Sequence, residues 1–302
     1  MTRVTPTTLS SGVMAGLQSS LARLQQTQEQ LASGRRLNRP SDSPVDTVAA
    51  MQLRAEQKQS EQLERNIDDG LTWLDTADQA LSQTSTALNR VRQLTLAGAN
   101  ATNGPAEREA MAAEVDQLRA GILAVANTQY LGRPVFAGTQ DVAAAFDPAT
   151  GAYAGNSATV NRTVSSDQAT GRLAVSVPGD QAFTTLLSDA ADPAGAGVLA
   201  RISAALRSGD AAGLQAGLAD LDSASDAVRS TQSVVGARTN RLLAVQASGA
   251  QRSDAVTTQL ASVEGIDLAK TITDLSLQQT AYQAALGAAA KIVQPSLMDF
   301  LR

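Results

Sequence analysis

Leu268, Ile272, Leu275, Gln279, Tyr282, Leu286, Ala289 and Val293 recur at alternating steps of four and three, a heptad seam that runs one narrow apolar stripe down a helix. Met14, Leu17, Leu21, Leu24, Gln28 and Leu31 keep the same rhythm near the other end of the chain. No other feature constrains the fold as much, because a helix with a single stripe is polar elsewhere and cannot bury that stripe alone. The two helices must close on each other, or on copies of themselves in other subunits, and both seams together read as one assembly interface. Antiparallel closure puts Gln28 and Gln279, the polar interruptions of the seams, in the same or adjacent layers. A lone polar residue in an apolar seam selects register, so the two glutamines are expected to hydrogen-bond and fix the pairing.

The chain between the seams is punctuated clearly. A first helix is expected over about Ser10 to Ser33, closed by Gly34 in the left-handed conformation that ends helices. The segment from Gly34 to Pro44 holds two prolines and cannot continue it. Arg35, Arg36, Arg39, Pro40, Asp42 and Pro44 mark this segment as an elbow loop, with Ser43 as the cap of the next helix. That helix is expected to reach about Gly98, with room for a break, and carries Ile67, Leu74, Ala77, Leu81, Leu88 and Val91 on one stripe. Trp73, beside the stripe, reads as a packing residue. A third helix is expected over Ala106 to about Thr128.

After Tyr130 the sequence turns rich in Gly, Thr, Ser and Val. Ala158–Val164 and Arg172–Val177 alternate apolar and polar residues between turns, which predicts short strands. Helical patterning returns at Val198, and a long helix is expected from Ala211 to about Ser262. Glu264-Gly265 marks a break, Ile266 starts the last helix, and Pro295 is expected to end or bend it. The fold class is therefore mainly α: an elongated bundle of long antiparallel helices, with terminal coiled-coil helices and a small β-rich insertion. Three parts are expected, a terminal coiled-coil domain (1–33 and 265–302), a helical middle domain (34–137 and 193–264) and a small β-rich domain (138–192).

Composition narrows the chemistry. There is no Cys and no His, which removes thiol nucleophiles, disulfides, imidazole catalysis and nearly all zinc chemistry. None of the three lysines lies in a Gly-rich phosphate loop. Paired carboxylates at Asp68 and Asp69, and at Asp220 and Asp222, lack supporting ligands and read as exposed helix-face acids. The Arg35, Arg36 and Arg39 cluster reads as a solvated loop in an acidic chain of net charge −5, and in an assembly could bridge a neighbour's carboxylates. No catalytic, cofactor-binding or metal site is expected, nor is a nucleic-acid or membrane partner. The N-terminus lacks the apolar core of a cleaved signal peptide and no run is long enough to span a bilayer. A cytoplasmic protein would read so, and so would the cargo of a signal-independent export route.

Several stretches carry a likeness to a known family. Ser33-Gly34-Arg35 closing the first heptad helix, with a heptad helix at the other end, resembles the flagellin superfamily. Gln30–Leu37 running into Arg39-Pro-Ser-Asp-Ser-Pro44, then Ala126–Thr139, Val235–Leu242 and Ser296–Leu301, resemble its branch of hook–filament junction proteins. Ser43 stands where that branch commonly has a second Asp. The likeness covers roughly residues 1–139 and 195–302. It implies a structural subunit of the bacterial flagellum at the junction of hook and filament, outside the cell, exported without a cleaved signal peptide. The terminal helices would form an inner layer and the β-rich part an outer domain. It also implies self-association in a ring or helical layer, contact with a neighbouring hook-associated protein and with flagellin, and an export chaperone. The other readings are flagellin itself and a cytoplasmic coiled-coil interaction protein.

Overall fold

A computed structural model of the chain describes residues 6–100, 103–166, 171–188 and 197–300, with side chains from 11 to 290 within these limits. Among the described residues the protein is mainly α, with two small antiparallel sheets. Its elements are α1 (Pro6–Ser33), α2 (Pro44–Gly98), α3 (Pro105–Ala126), β1 (Gln129–Tyr130), β2 (Arg133–Pro134), β3 (Asn161–Thr163), β4 (Arg172–Ala174), α4 (Asp180–Leu187), α5 (Val198–Ser208), α6 (Ala211–Glu264) and α7 (Leu268–Phe300). Contacts divide the chain into one unit of Met1–Gln59 with Gln251–Arg302 and a second of Ser60–Ala250.

Three local expectations change. α2 is unbroken, since its stripe stays in phase through Ile67, Leu74, Ala77 and Leu81, all buried. α7 runs on past Pro295 to Phe300. A proline this near a helix end forfeits a single intrahelical bond to the preceding turn. Finally, α4 is a helix within the segment read as β-rich. Its two threonines suggest strand, but Ala182, Phe183, Leu186 and Leu187 are all buried at helical spacing.

In the Ser60–Ala250 unit, α2 and α6 run antiparallel. Gln246 Nε2 donates to Asp68 at 2.9 Å, Gln232 Nε2 to Asp78 at 3.1 Å, and Arg92 pairs with Asp222. Of the carboxylates read as exposed helix-face acids, Asp68 and Asp222 are thus tied to a neighbouring helix, as Asp220 is to Arg201 at 2.9 Å. Val228, Val235 and Leu242 of α6 share one core with the α2 stripe, Val115 and Ile122 of α3, and Ile202 and Leu206 of α5. Trp73 is buried in this core, edge-on to Tyr130 at 5.6 Å.

The β3–β4 hairpin pairs Asn161 with Ala174 and Thr163 with Arg172. It is pinned to α2 by Arg162 Nε on Asp69 at 2.7 Å and by Asn66 Nδ2 on the Thr163 carbonyl at 2.8 Å. Gly70 permits that approach, since a Cβ there would lie 2.8 Å from Val175 Cγ1.

An aromatic cluster of Phe136, Phe146 and Phe183 belongs to the same core, with Tyr153 packed at its edge. The Tyr153 hydroxyl lies 2.9 Å from the carbonyls of both Phe136 and Asn156. Burial, with the charge of Asp180 next, pushes its phenol up to about 12. A phenol raised in the fold contributes stability that is complete below its unfolded pKa, about 10, and is lost as pH rises through the folded value. Tyr153→Phe is expected to cost about 1 kcal/mol at neutral pH and to flatten the alkaline decline between about pH 10 and 12. Urea midpoints against pH test this, and parallel curves for both proteins would refute it.

Candidate assembly interface

α1 and α7 pack against each other and run antiparallel. The backbone N–H of Arg36 donates to the Glu264 carbonyl at 2.6 Å, and Arg35 bridges Gly265 in antiparallel fashion, so the end of α1 meets the start of α7. Thr27 Oγ1 lies 2.9 Å from Gln278 Oε1 and 3.0 Å from the Arg23 carbonyl. Thr27, only 7% exposed, is the sole buried side chain described in either helix.

Only one edge of each heptad stripe is covered. On α1 the shielded set is Val13, Leu17, Ser20, Leu24, Thr27 and Leu31; on α7 it is Thr271, Leu275, Gln278, Tyr282, Ala285 and Ala289. Met14, Leu21, Gln28, Leu268, Ile272, Gln279 and Leu286 are exposed, Met14 and Leu268 by 59% each. The Val293 side chain lies outside the described residues. The polar layer inside the pair is therefore Thr27 with Gln278, and the expected Gln28–Gln279 bond does not form there. Small residues alternate with large ones along the edges that face the partner: the Thr27–Gln278 register sets Ser20 level with Ala285. Small side chains let helix axes come closer. The polar positions Ser20 and Thr27, also at heptad spacing, were the available signal for this.

At the near end of the pair, the elbow loop is tied into one network. Gly34 takes φ +65°, the left-handed turn that closes α1. Asp42 Oδ2 accepts from the backbone N–H of Asn38 at 3.0 Å and of Arg39 at 2.9 Å, folding the loop between the two prolines. Ser43 caps α2 through the N–H of Asp46 at 3.4 Å. Arg36 donates to Asp46 at 2.9 Å and to the Val263 carbonyl at 2.8 Å, and Arg39 pairs with Glu29 at 2.7 Å. Pro40 and Pro44 are exposed and act through their fixed φ.

The residue that sequence reasoning missed is Glu264. It is 6% exposed, with Arg54 Nη2 at 2.7 Å from Oε1 and Arg35 Nε at 3.8 Å from Oε2. The Arg54 approach is an ionic contact, off the angle of a directed hydrogen bond. One carboxylate at the end of α6 thus holds both the loop after α1 and the first turns of α2. In sequence it showed only as half of a helix break. Glu264→Ala is expected to cost about 1–2 kcal/mol, less than a fully buried pair because both guanidiniums keep water. Hydrogen exchange should quicken at residues 35–43 and 265–271 together. Unchanged protection in either segment would rule out a shared joint.

Among the described residues, no group of three or more acidic side chains could hold a metal ion, and no helix is long and apolar enough to cross a membrane. What the geometry offers is an apolar strip on a two-helix arm.

Comparison with known proteins matches both arms. The bacterial flagellin N-terminal helical region matches residues 6–141, and the bacterial flagellin C-terminal helical region matches residues 218–301. The flagellar hook-associated protein 3 of Escherichia coli K12 is 26% identical over 292 residues, 90% of this chain and 91% of that protein. Flagellin E of Vibrio cholerae is 32% identical over 123 residues, 40% of this chain and 32% of that protein. The crystal structure of Bacillus cereus FlgL shares the fold at 20% identity, with a TM-score of 0.60 over 70% of this chain and 99% of that one.

Proposed function

Because the chain belongs to the flagellin superfamily, with that family's helical regions at both ends, we propose that it is a structural subunit of the bacterial flagellum, the adapter between hook and filament. The observation that carries this reading is likeness to hook-associated protein 3 over nine-tenths of both chains, central region included. Flagellin E of Vibrio cholerae aligns over a much shorter share. Family membership places the protein with other flagellar components.

The finer reading has the subunit pass through the export channel without a cleaved signal, escorted by a chaperone, and act outside the cell without a cofactor or catalysis. It then joins a ring or helical layer of its own copies, between a neighbouring hook-associated protein and flagellin. The α1–α7 pair suits that step, because its exposed strip supplies apolar surface that only a neighbour can bury. The 34–44 elbow and Glu264 would hold the pair in the orientation the layer needs. Expression in cells lacking their own junction protein tests the proposal. A filament restored on the hook, with the chain confined to one band at the hook's end, is expected. Labelling along the whole filament would make it flagellin, and retention inside the cell would favour a cytoplasmic coiled-coil protein.

A further inference from the structure

We infer that Asn103 is a site of self-modification: it loses its side-chain amide to attack by the backbone nitrogen of Gly104, with the Glu107 carboxylate as the base. Of the nine asparagines in the chain only Asn103 precedes glycine, so no following side chain screens the attacked carbonyl. The pair lies between α2 and α3, and Gly104 is the N-cap of α3.

Two features of this turn favour the reaction. The Gly104 N–H is hydrogen-bonded to no described residue, the usual state of a donor at a helix start. Glu107, at the third helical position, folds back in the manner of a capping box, and a Cβ on Gly104 would collide with its Oε2. Cβ and the backbone nitrogen are bonded to one Cα, so a small side-chain torsion carries that oxygen onto the free N–H. Asn103 and Gly104 are half-buried and Glu107 is exposed, so water reaches the site.

Glu107 takes the proton of the Gly104 N–H as that nitrogen bonds to Asn103 Cγ. The Cγ–Nδ2 bond breaks, and Nδ2 leaves as ammonia with the transferred proton, closing a five-membered imide. Water then adds to either imide carbonyl and leaves aspartate or isoaspartate at 103. No electron is gained or lost, and water is the sole co-reactant. The product weakens the turn that made it. Asn103 Nδ2 donates to the Ala97 carbonyl in the last turn of α2, and the Asn103 carbonyl accepts from Arg108 Nη1 at 2.8 Å. A carboxylate offers Ala97 no donor and adds negative charge at the negative end of the α2 dipole. Isoaspartate also lengthens the main chain by one bond and shifts the carbonyl that Arg108 holds.

Purified full-length chain, held folded near neutral pH and then digested, tests this. Mass spectrometry should find the amide-to-acid mass gain at Asn103 before any other asparagine, and an isoaspartate-specific methyltransferase should label the same peptide. Glu107→Gln changes an exposed side chain, so it is expected to fold as the parent does by circular dichroism and to slow conversion at least about threefold. The pH profile separates a base from a prop. Hydroxide-driven attack rises about tenfold per pH unit, whereas the carboxylate path needs no hydroxide, so the parent's rate should be the flatter of the two between about pH 6 and 7.5. Asn103→Asp, made directly, should quicken hydrogen exchange over residues 95–100. Earlier conversion at another asparagine, an unchanged rate in Glu107→Gln, or equal pH slopes would each overturn the inference. Unchanged exchange in Asn103→Asp would overturn its consequence for the turn. None of these results depends on where the chain assembles, so the proposed function stands or falls separately.

Discussion

A chain cut back to residues 60–250 is expected to fold in one cooperative transition, remain monomeric, and fail completely to connect filament to hook. The described hydrophobic core runs from Ile67 to Leu242 and lies wholly within that stretch. Its helices are tied to one another by their own ion pairs, such as Arg90 with Glu114 at 2.6 Å and Arg207 with Asp116 at 2.5 Å. The α1–α7 pair, by contrast, fully buries no described apolar side chain, and its interior layer is a single hydroxyl–amide contact. A region with so few buried contacts opens at low free energy, so removing it should change the urea midpoint little. In the intact free subunit, amides of 11–33 and 268–290 should exchange far faster than those of 67–95. Ordering these helices is unfavourable until neighbours cover the strip. Circular dichroism, sedimentation and a motility complementation assay decide the matter. An unfolded fragment would show that the arms belong to the monomer's core; restored motility would show that they are not the assembly surface.

The largest loss of stability from one substitution is expected at Phe183→Ala. Phe183 is wholly buried in α4, edge-on to Phe136 at 4.9 Å and to Phe146 at 5.7 Å. Truncation removes both ring contacts and leaves a cavity that short loops and an eight-residue helix must enclose. Such losses run to about 3–5 kcal/mol, a large share of a domain's net stability. The damage should stay local, since the hairpin has separate ties to α2 through Asp69 and Asn66. Urea unfolding of the variant, with hydrogen exchange over 136–187, measures it. A loss under about 1 kcal/mol would mean that the cluster collapses around the gap.

Local sequence decides most of the inventory of helices and most of the places where they break. Apolar period, glycine and proline act within a few neighbouring residues, and both arms carry those signals strongly. The α4 helix escapes this logic because eight residues with two threonines leave local propensity evenly balanced; burial of Phe183 and Leu186 against the aromatic cluster tips it to helix. The heptad count locates a stripe on each arm but not the edge that turns inward. That choice compares Leu21 with Ser20, and Gln28 with Thr27, across a gap whose width depends on the opposite helix. Glu264 could not be found at all from its neighbours in sequence, because Arg35 and Arg54 reach it only after α6 has returned beside the start of α2. Periodicity is a property of one helix; which edge it buries, and which carboxylate ends up beneath two guanidiniums, are properties of pairs that only the folded chain brings together.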